Sequence, residues 1–225
     1  MLLLDPSSTY NEMQTKKRDK SFMEQFRCPK GFQGRIVAAS MNRGHNSLTN
    51  WGLKQVDIRP QFNILDVGCG GGKTIGKLAR LAFKGKVFGI DHSPDMVKYS
   101  KQVNSTLIAK NQVTIKESTI EKLKFLNDFF DLVTAIETYY FWPNLPQAFS
   151  EIKRVLKPKG KLLLINEMKK DGIYEIENAE IIAKTHVNLV PLIEIKSILQ
   201  SIGFTNIDII TKKKSAWNTV IAQKQ

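Results

Sequence analysis

The stretch Asn63-Ile-Leu-Asp66-Val-Gly68-Cys69-Gly70-Gly71-Gly72-Lys73-Thr74 restricts the fold of this chain more than any other. Asn63 to Val67 is short, apolar and β-prone, which reads as a buried strand. The glycines break it, and a helical pattern starts at Lys73 and runs to Ala82. Glycines there let the backbone take positive φ and let another group approach the main chain with no Cβ in the way. The unpaired N–H groups of the new helix favour an anionic group in front of them. Strand, bare loop and helix together make a ligand-binding turn, with a plain strand-to-helix connection as the alternative.

Spacing decides between the ligands such a turn takes. A P-loop, GxxxxGK(S/T), finds its last three letters in Gly72-Lys73-Thr74, but its first glycine falls on Val67 inside the strand. A dinucleotide fingerprint, GxGxxG, fits Gly68 and Gly70 and then meets Lys73 where glycine or alanine is needed. The tighter DxGxGxG is satisfied by Asp66, Gly68, Gly70 and Gly72. At these residues the sequence resembles motif I of the class I S-adenosylmethionine (SAM) dependent methyltransferases, of the type 11-like, small-molecule kind.

A second element points the same way. Lys86-Val-Phe-Gly-Ile-Asp91 reads as a strand ending in a carboxylate, about 20 residues past the loop. That is the distance at which an acid reaches ribose hydroxyls in nucleotide-binding βαβ units. Ser93-Pro94 then opens a helix as N-cap and first-turn proline. The resemblance implies a SAM site made by Asp66, Gly68, Cys69, Gly70 and Gly72 of the loop. It extends to Asp91, to His92 and Met96 flanking the adenine, and to Thr119, Ile120 and Glu137. Thr119 is a departure: it stands where the family commonly has an Asp accepting from the adenine amino group, and its hydroxyl can accept that bond only without charge.

At 225 residues the chain fits one α/β domain with additions. Its 42% hydrophobic and 24% charged residues are ordinary for a globular protein. Two cysteines, Cys28 and Cys69, far apart, argue against a disulfide framework and against a cysteine metal cluster, and no other metal site is visible. Leu2-Leu3-Leu4 is too short for a signal-peptide core and no run approaches a membrane span, so a cytoplasmic protein is expected. The net charge of +13 raises nucleic acid as a partner, but the lysines are spread along the chain, which favours solvated faces over a binding stripe.

The expected fold is α/β: a Rossmann-like, seven-stranded, mostly parallel sheet with an antiparallel C-terminal strand, helices on both faces and an N-terminal helical lid. Residues 1–60 form that lid and 61–225 the methyltransferase domain. In the lid, Ser21 to Phe26 carries a weak apolar stripe, Cys28 to Gly34 is a turn cluster and Ile36 to Met41 a short helix. Another helix bears Leu48, Trp51 and Val56. His45 is a candidate substrate contact or general base, or a loop histidine bonded to its own backbone. A helix runs from Ser93 towards Ala109, and Val113 to Ser118 alternates as the third strand. Phe130 to Glu137 is the fourth strand, followed by the densest aromatic run, Thr138-Tyr139-Tyr140-Phe141-Trp142-Pro143.

Ligands bind beyond the carboxyl ends of strands in open α/β sheets, so that run is expected to face the methyl donor. Tyr139, Tyr140 and Trp142 are expected to reach the pocket before Phe141; the alternative is that the rings close the loop against the lid. Glu137 either orients or deprotonates the acceptor, or binds the lid. Arg154-Val-Leu-Lys157-Pro158-Lys159-Gly160 resembles the family's RVLKPGG turn before a fifth strand, Lys161 to Asn166. Residues 168–192 read as an insertion walling the substrate pocket, with an apolar stripe at Ile173, Ile176, Ala179 or Glu180, and Ala183, and with His186 a minor acid/base candidate. A helix from Glu194 to Ile202 is closed by Gly203, and Phe204 to Thr211 pairs with Ala216 to Gln223.

The expected activity is in-line transfer of a methyl group to a small-molecule nucleophile, with Glu137, Tyr139, Tyr140 and His45 as candidate catalytic residues. The Asn-Pro-Pro-Tyr type motif of nucleobase-amine enzymes is replaced by Glu137-Thr-Tyr-Tyr, and no room remains for an RNA-binding module. An RNA or protein methyltransferase and a non-catalytic SAM-binding protein remain the alternatives.

Overall fold

The computed structural model describes residues 45–185 and 187–225. The lid elements expected before residue 45, and His186, lie outside the described residues. The chain order is α1 (Asn46–Leu53), β1 (Ile64–Val67), α2 (Lys73–Leu81), β2 (Val87–Asp91), α3 (Pro94–Val103), α4 (Ser105–Ala109) and β3 (Val113–Glu117). It continues with β4 (Phe130–Ile136), a 3₁₀ turn (Tyr139–Phe141), α5 (Leu145–Val155), β5 (Leu156–Asn166), α6 (Gly172–Thr185), α7 (Leu192–Ile202), β6 (Phe204–Thr211) and β7 (Asn218–Lys224).

The seven strands form one sheet in the order β3-β2-β1-β4-β5-β7-β6. The first five are parallel, and β7 runs antiparallel to both β5 and β6. All four residues of β1 are buried, as a central parallel strand covered on both faces requires. Alternate residues feed two cores. Leu65, Leu162 and Leu164 join α5 and α7 on one side, while Ile64, Leu163 and Ile165 join α1, α2 and α3 on the other. Among the described residues, no helix is long and apolar enough to cross a membrane.

Local chemistry sets the boundaries. The Ser93 hydroxyl caps α3 by accepting from the Met96 N–H, with Pro94 in the first turn. Asn144 caps α5 in the same way through the Gln147 N–H. Gly203 ends α7 in the left-handed region at φ 88°.

Two element boundaries and one helix face depart from expectation. The helix after Ser93 breaks at Asn104, whose side-chain amide donates to the carbonyls of Gly72 and Ser100 and so competes with the helical ladder. The fifth strand begins at Leu156 rather than Lys161: Leu156 pairs with Phe130 and Lys161 with Leu132, so residues 157–160 bulge opposite the single residue Asp131. Lys159, where the family turn has glycine, takes φ 66° there. Residues 168–192 do contain a helix, α6, but Ile173 and Ile176 of its expected apolar stripe are exposed.

Candidate active site

A cavity of about 310 Å³ opens beyond the carboxyl ends of β1, β2 and β4, within the ~300–1,000 Å³ typical of small-molecule sites. Gly68, Cys69 and Gly70 of the loop line it, together with Asp66 and Asp91, His92 and Met96, Thr119 and Ile120, and Glu137 and His45. The structure thus gathers most of the residues singled out in the sequence around one space.

The glycine loop is held from both sides. Gly68 and Cys69 donate backbone N–H bonds to the Ile90 carbonyl, and the Gly70 N–H donates to Asp91 Oδ2 at 2.8 Å. Asp91 Oδ1 accepts from the Ser93 N–H at 2.9 Å. A Cβ placed on Gly70, at φ 49°, would meet nothing within 4 Å, so the loop's bare edge faces the open cavity.

Gly72 differs from its expected role, because it does not line the cavity. A Cβ there would stand 2.2 Å from Ser100 Oγ and 3.0 Å from the Ser100 Cα, so this glycine lets the loop pack on α3. Thr119 lines the cavity but is exposed, and His92 sits half-exposed with Nδ1 3.7 Å from Asp91 Oδ1.

The aromatic run meets expectation at Trp142 and departs from it at Tyr139, Tyr140 and Phe141. Phe141 and Trp142 line the cavity, whereas Tyr139 and Tyr140 are buried behind it. A 3₁₀ turn has about three residues per turn, so successive rings point in different directions. Tyr139 reaches the Val190 carbonyl, and Tyr140 donates its hydroxyl to Glu137 Oε2 at 2.6 Å. Among residues 172–179, 182 and 183 of α6, none lines the cavity. The segment after it instead braces the turn, with the Asn188 N–H donating to the Tyr140 carbonyl.

Besides Asp91, two buried carboxylates face the cavity. Asp66 is only 2% exposed, and burial pushes its carboxyl up to about 7 against the opposing bond from the Thr134 hydroxyl. Glu137 follows β4 with φ 57°, a strained conformation for a non-glycine residue. It is 6% exposed, and burial together with the nearby Glu167 charge raises it to about 7. His45 and its bonds from Tyr140 and the Glu167 N–H act in the opposite direction.

Glu167 was not singled out in the sequence. It follows β5, and its Oε1 lies 3.2 Å from His45 Nε2. Ligand atoms of His45, Glu137 and Glu167 all lie within 4.8 Å of one another. Burial alone would lower the His45 ring, but the bond to Glu167 and the charges of Glu137 and Glu167 carry it above its ordinary value. His45 is placed by α1, which buries Leu48, Thr49, Gly52 and Leu53 and stacks Trp51 near Trp217.

Residues 65–164 match the family described as a methyltransferase domain. A sterol 4-C-methyltransferase of Caenorhabditis elegans is 25% identical over 178 residues, covering 79% of this chain and 51% of the relative. A demethylmenaquinone methyltransferase of Symbiobacterium thermophilum is 34% identical over 118 residues, covering 52% of this chain and 47% of the relative. The chain spans about half the length of these curated relatives. Among solved structures, a SAM-dependent methyltransferase from Aquifex aeolicus superposes with a TM-score of 0.69 at 21% identity, covering 84% of this chain and 98% of that one. The chain thus carries a stretch similar to a methyltransferase domain over residues 65–164, on a fold shared with the Aquifex aeolicus SAM-dependent methyltransferase.

Proposed function

We propose that this protein transfers the methyl group of SAM to a small-molecule nucleophile. When bound, SAM supplies a methyl group already activated by its sulfonium. The protein's part is then alignment, exclusion of water and, where needed, removal of a proton. The observation that carries this reading is the joint placement of the Gly70 N–H and the Asp91 carboxylate on one cavity. Asp91 holds the ribose hydroxyls, the bare loop from Gly68 to Gly70 receives the amino-acid tail, and Met96, Thr119 and Ile120 enclose the adenine. Asp66 and Cys69 shape the floor. The acceptor then meets the methyl group near Glu137, Phe141 and Trp142.

Relatives named for a sterol and for demethylmenaquinone support an organic acceptor of low mass. We assign residues 61–225 to catalysis and 1–60 to covering the site, a role supported by His45, Asn46 and Thr49 on the cavity wall. A cytoplasmic setting suits the buried free thiol of Cys69. Methyl-labelled SAM incubated with the protein and a fractionated metabolite extract tests the reading. Label is expected in a low-mass fraction; label in RNA or protein would replace the substrate class, and no transfer would leave only SAM binding.

A further inference from the structure

The strand tips follow one another along the sheet edge: Asp91 ending β2, the glycine loop after β1, Glu137 after β4 and Glu167 after β5. Asp91 and the loop define one half of the cavity, which leaves the β4 and β5 tips, with His45 above them, for the reacting end. There two carboxylates and an imidazole converge within 4.8 Å, a separation one water molecule can span. Glu137 is the innermost of the three. The others are more open, at 21% side-chain exposure for His45 and 41% for Glu167. The cluster therefore runs from the cavity towards solvent.

We propose that His45, Glu137 and Glu167 are one acid–base unit in which Glu137 takes a proton from the methyl acceptor and the Glu167–His45 pair passes it to solvent. This rests on the methyltransferase reading and narrows its substrate class to acceptors whose nucleophilic atom carries a proton that must leave, such as a hydroxyl or an activated C–H. A thioether or tertiary amine needs no such device. In the balanced step the acceptor's X–H bond breaks and its electron pair forms the bond to the methyl carbon. The carbon–sulfur bond breaks with its pair left on sulfur, and the proton goes to the Glu137 carboxylate. Glu137 is the catalytic residue; Glu167, His45 and Tyr140 are positioning residues that act through it.

Two observations favour a proton over a metal ion in this cluster. Both Glu137 oxygens already accept protein donors, the Tyr140 hydroxyl and the Glu167 N–H, and Glu167 is paired to the His45 ring. A buried carboxylate raised to about 7 is also matched to proton transfer near neutrality. The other ionisable groups on the cavity wall are Asp66 from β1, Cys69 from the loop, Lys73 and Lys77 from α2, Asp91 from β2, and His92 and Glu121, with Tyr139 behind it.

Carboxyl-labelled glutamate followed by NMR in the ligand-free protein tests the unit without turnover. One glutamate is expected to titrate near pH 7 and to vanish in Glu137→Gln. Its midpoint should fall in Glu167→Gln, which removes a repelling charge, and rise in Tyr140→Phe and His45→Gln, which remove a stabilising bond or charge. Turnover of labelled SAM with the low-mass extract should drop about 10²- to 10⁴-fold in Glu137→Gln, and the acidic limb of the pH profile should move with the NMR midpoints. Glu167→Gln should still bind SAM within about threefold of the wild-type protein, since Glu167 does not line the cavity. Loss of SAM binding by the wild-type protein would sink the methyltransferase reading while leaving the titration intact. All glutamates titrating at 4 to 5, or a stoichiometric divalent cation whose removal by EDTA abolishes turnover, would overturn the acid–base unit.

Discussion

Gly52 of α1 lies so close to Ile165 of β5 that a β-carbon added to it would stand 2.5 Å from Ile165 Cδ1 and 2.7 Å from Cγ1 and Cγ2. This approach fixes the helix whose N-terminus carries His45. Inside a helix, Gly→Ala normally gains about 1 kcal/mol, but overpacking a filled core costs about 1–3 kcal/mol. Ile165 is fully buried, so the second effect should win. Gly52→Ala is expected to lower the melting temperature, with partial recovery on adding Ile165→Val; a stabilised single variant would show that α1 is not seated this way.

Asp66 makes stability depend on pH. Its carboxyl sits near 7 in the folded chain against 3.8 for the free group, because burial disfavours the charge. Between those values the folded state holds a proton that the unfolded state has released, so stability falls as pH rises through that window and stays lower above it. Asp66→Asn removes this dependence. Denaturant titrations should show the variant gaining on the wild-type protein from pH 4 to pH 8, by up to roughly 4 kcal/mol. A constant difference across that range would contradict the burial of an ionisable Asp66.

Binding of a cation should release protons. The sulfonium and ammonium of SAM favour the ionised forms of Asp66 and Glu137, which both face the cavity and both lie near 7. Calorimetry at pH 6 in two buffers of different ionisation enthalpy is expected to show release of roughly one proton or more, fading by pH 8.5. Proton uptake, or no exchange at pH 6, would mean that these acids do not sense the ligand.

Thr119 gives a gain-of-affinity test. An aspartate there would accept from the adenine amino group as a charged partner, worth roughly twice a neutral hydrogen bond. Thr119→Asp is therefore expected to tighten SAM binding by about threefold to tenfold, measured by titration. Weaker binding would place the adenine away from Thr119.

Features carried by adjacent residues were legible in the sequence. The glycine loop, the strand ending at Asp91, the Ser93 cap, the Gly203 stop and the span of β6 depend on local backbone preferences, and the structure has them where the pattern placed them. What escaped depended on the third dimension. Glu167 is an unremarkable acid after a strand, and its partners His45 and Glu137 stand 122 and 30 positions away. The 3₁₀ turn that swings Phe141 rather than Tyr139 and Tyr140 into the cavity leaves no signature in a run of four aromatics. The break at Asn104 arises from a bond to Gly72, 32 residues earlier. Gly72 itself matches a ligand-loop pattern but serves packing against Ser100.

The most direct measurement is titration calorimetry of SAM into the wild-type protein and Asp91→Ala, with a dinucleotide as competitor. The expected result is saturable binding to the wild-type protein, loss of measurable binding in the variant and no displacement by the dinucleotide. Unchanged affinity in Asp91→Ala, or displacement by the dinucleotide, would contradict a sulfonium nucleoside seated between the glycine loop and the tip of β2.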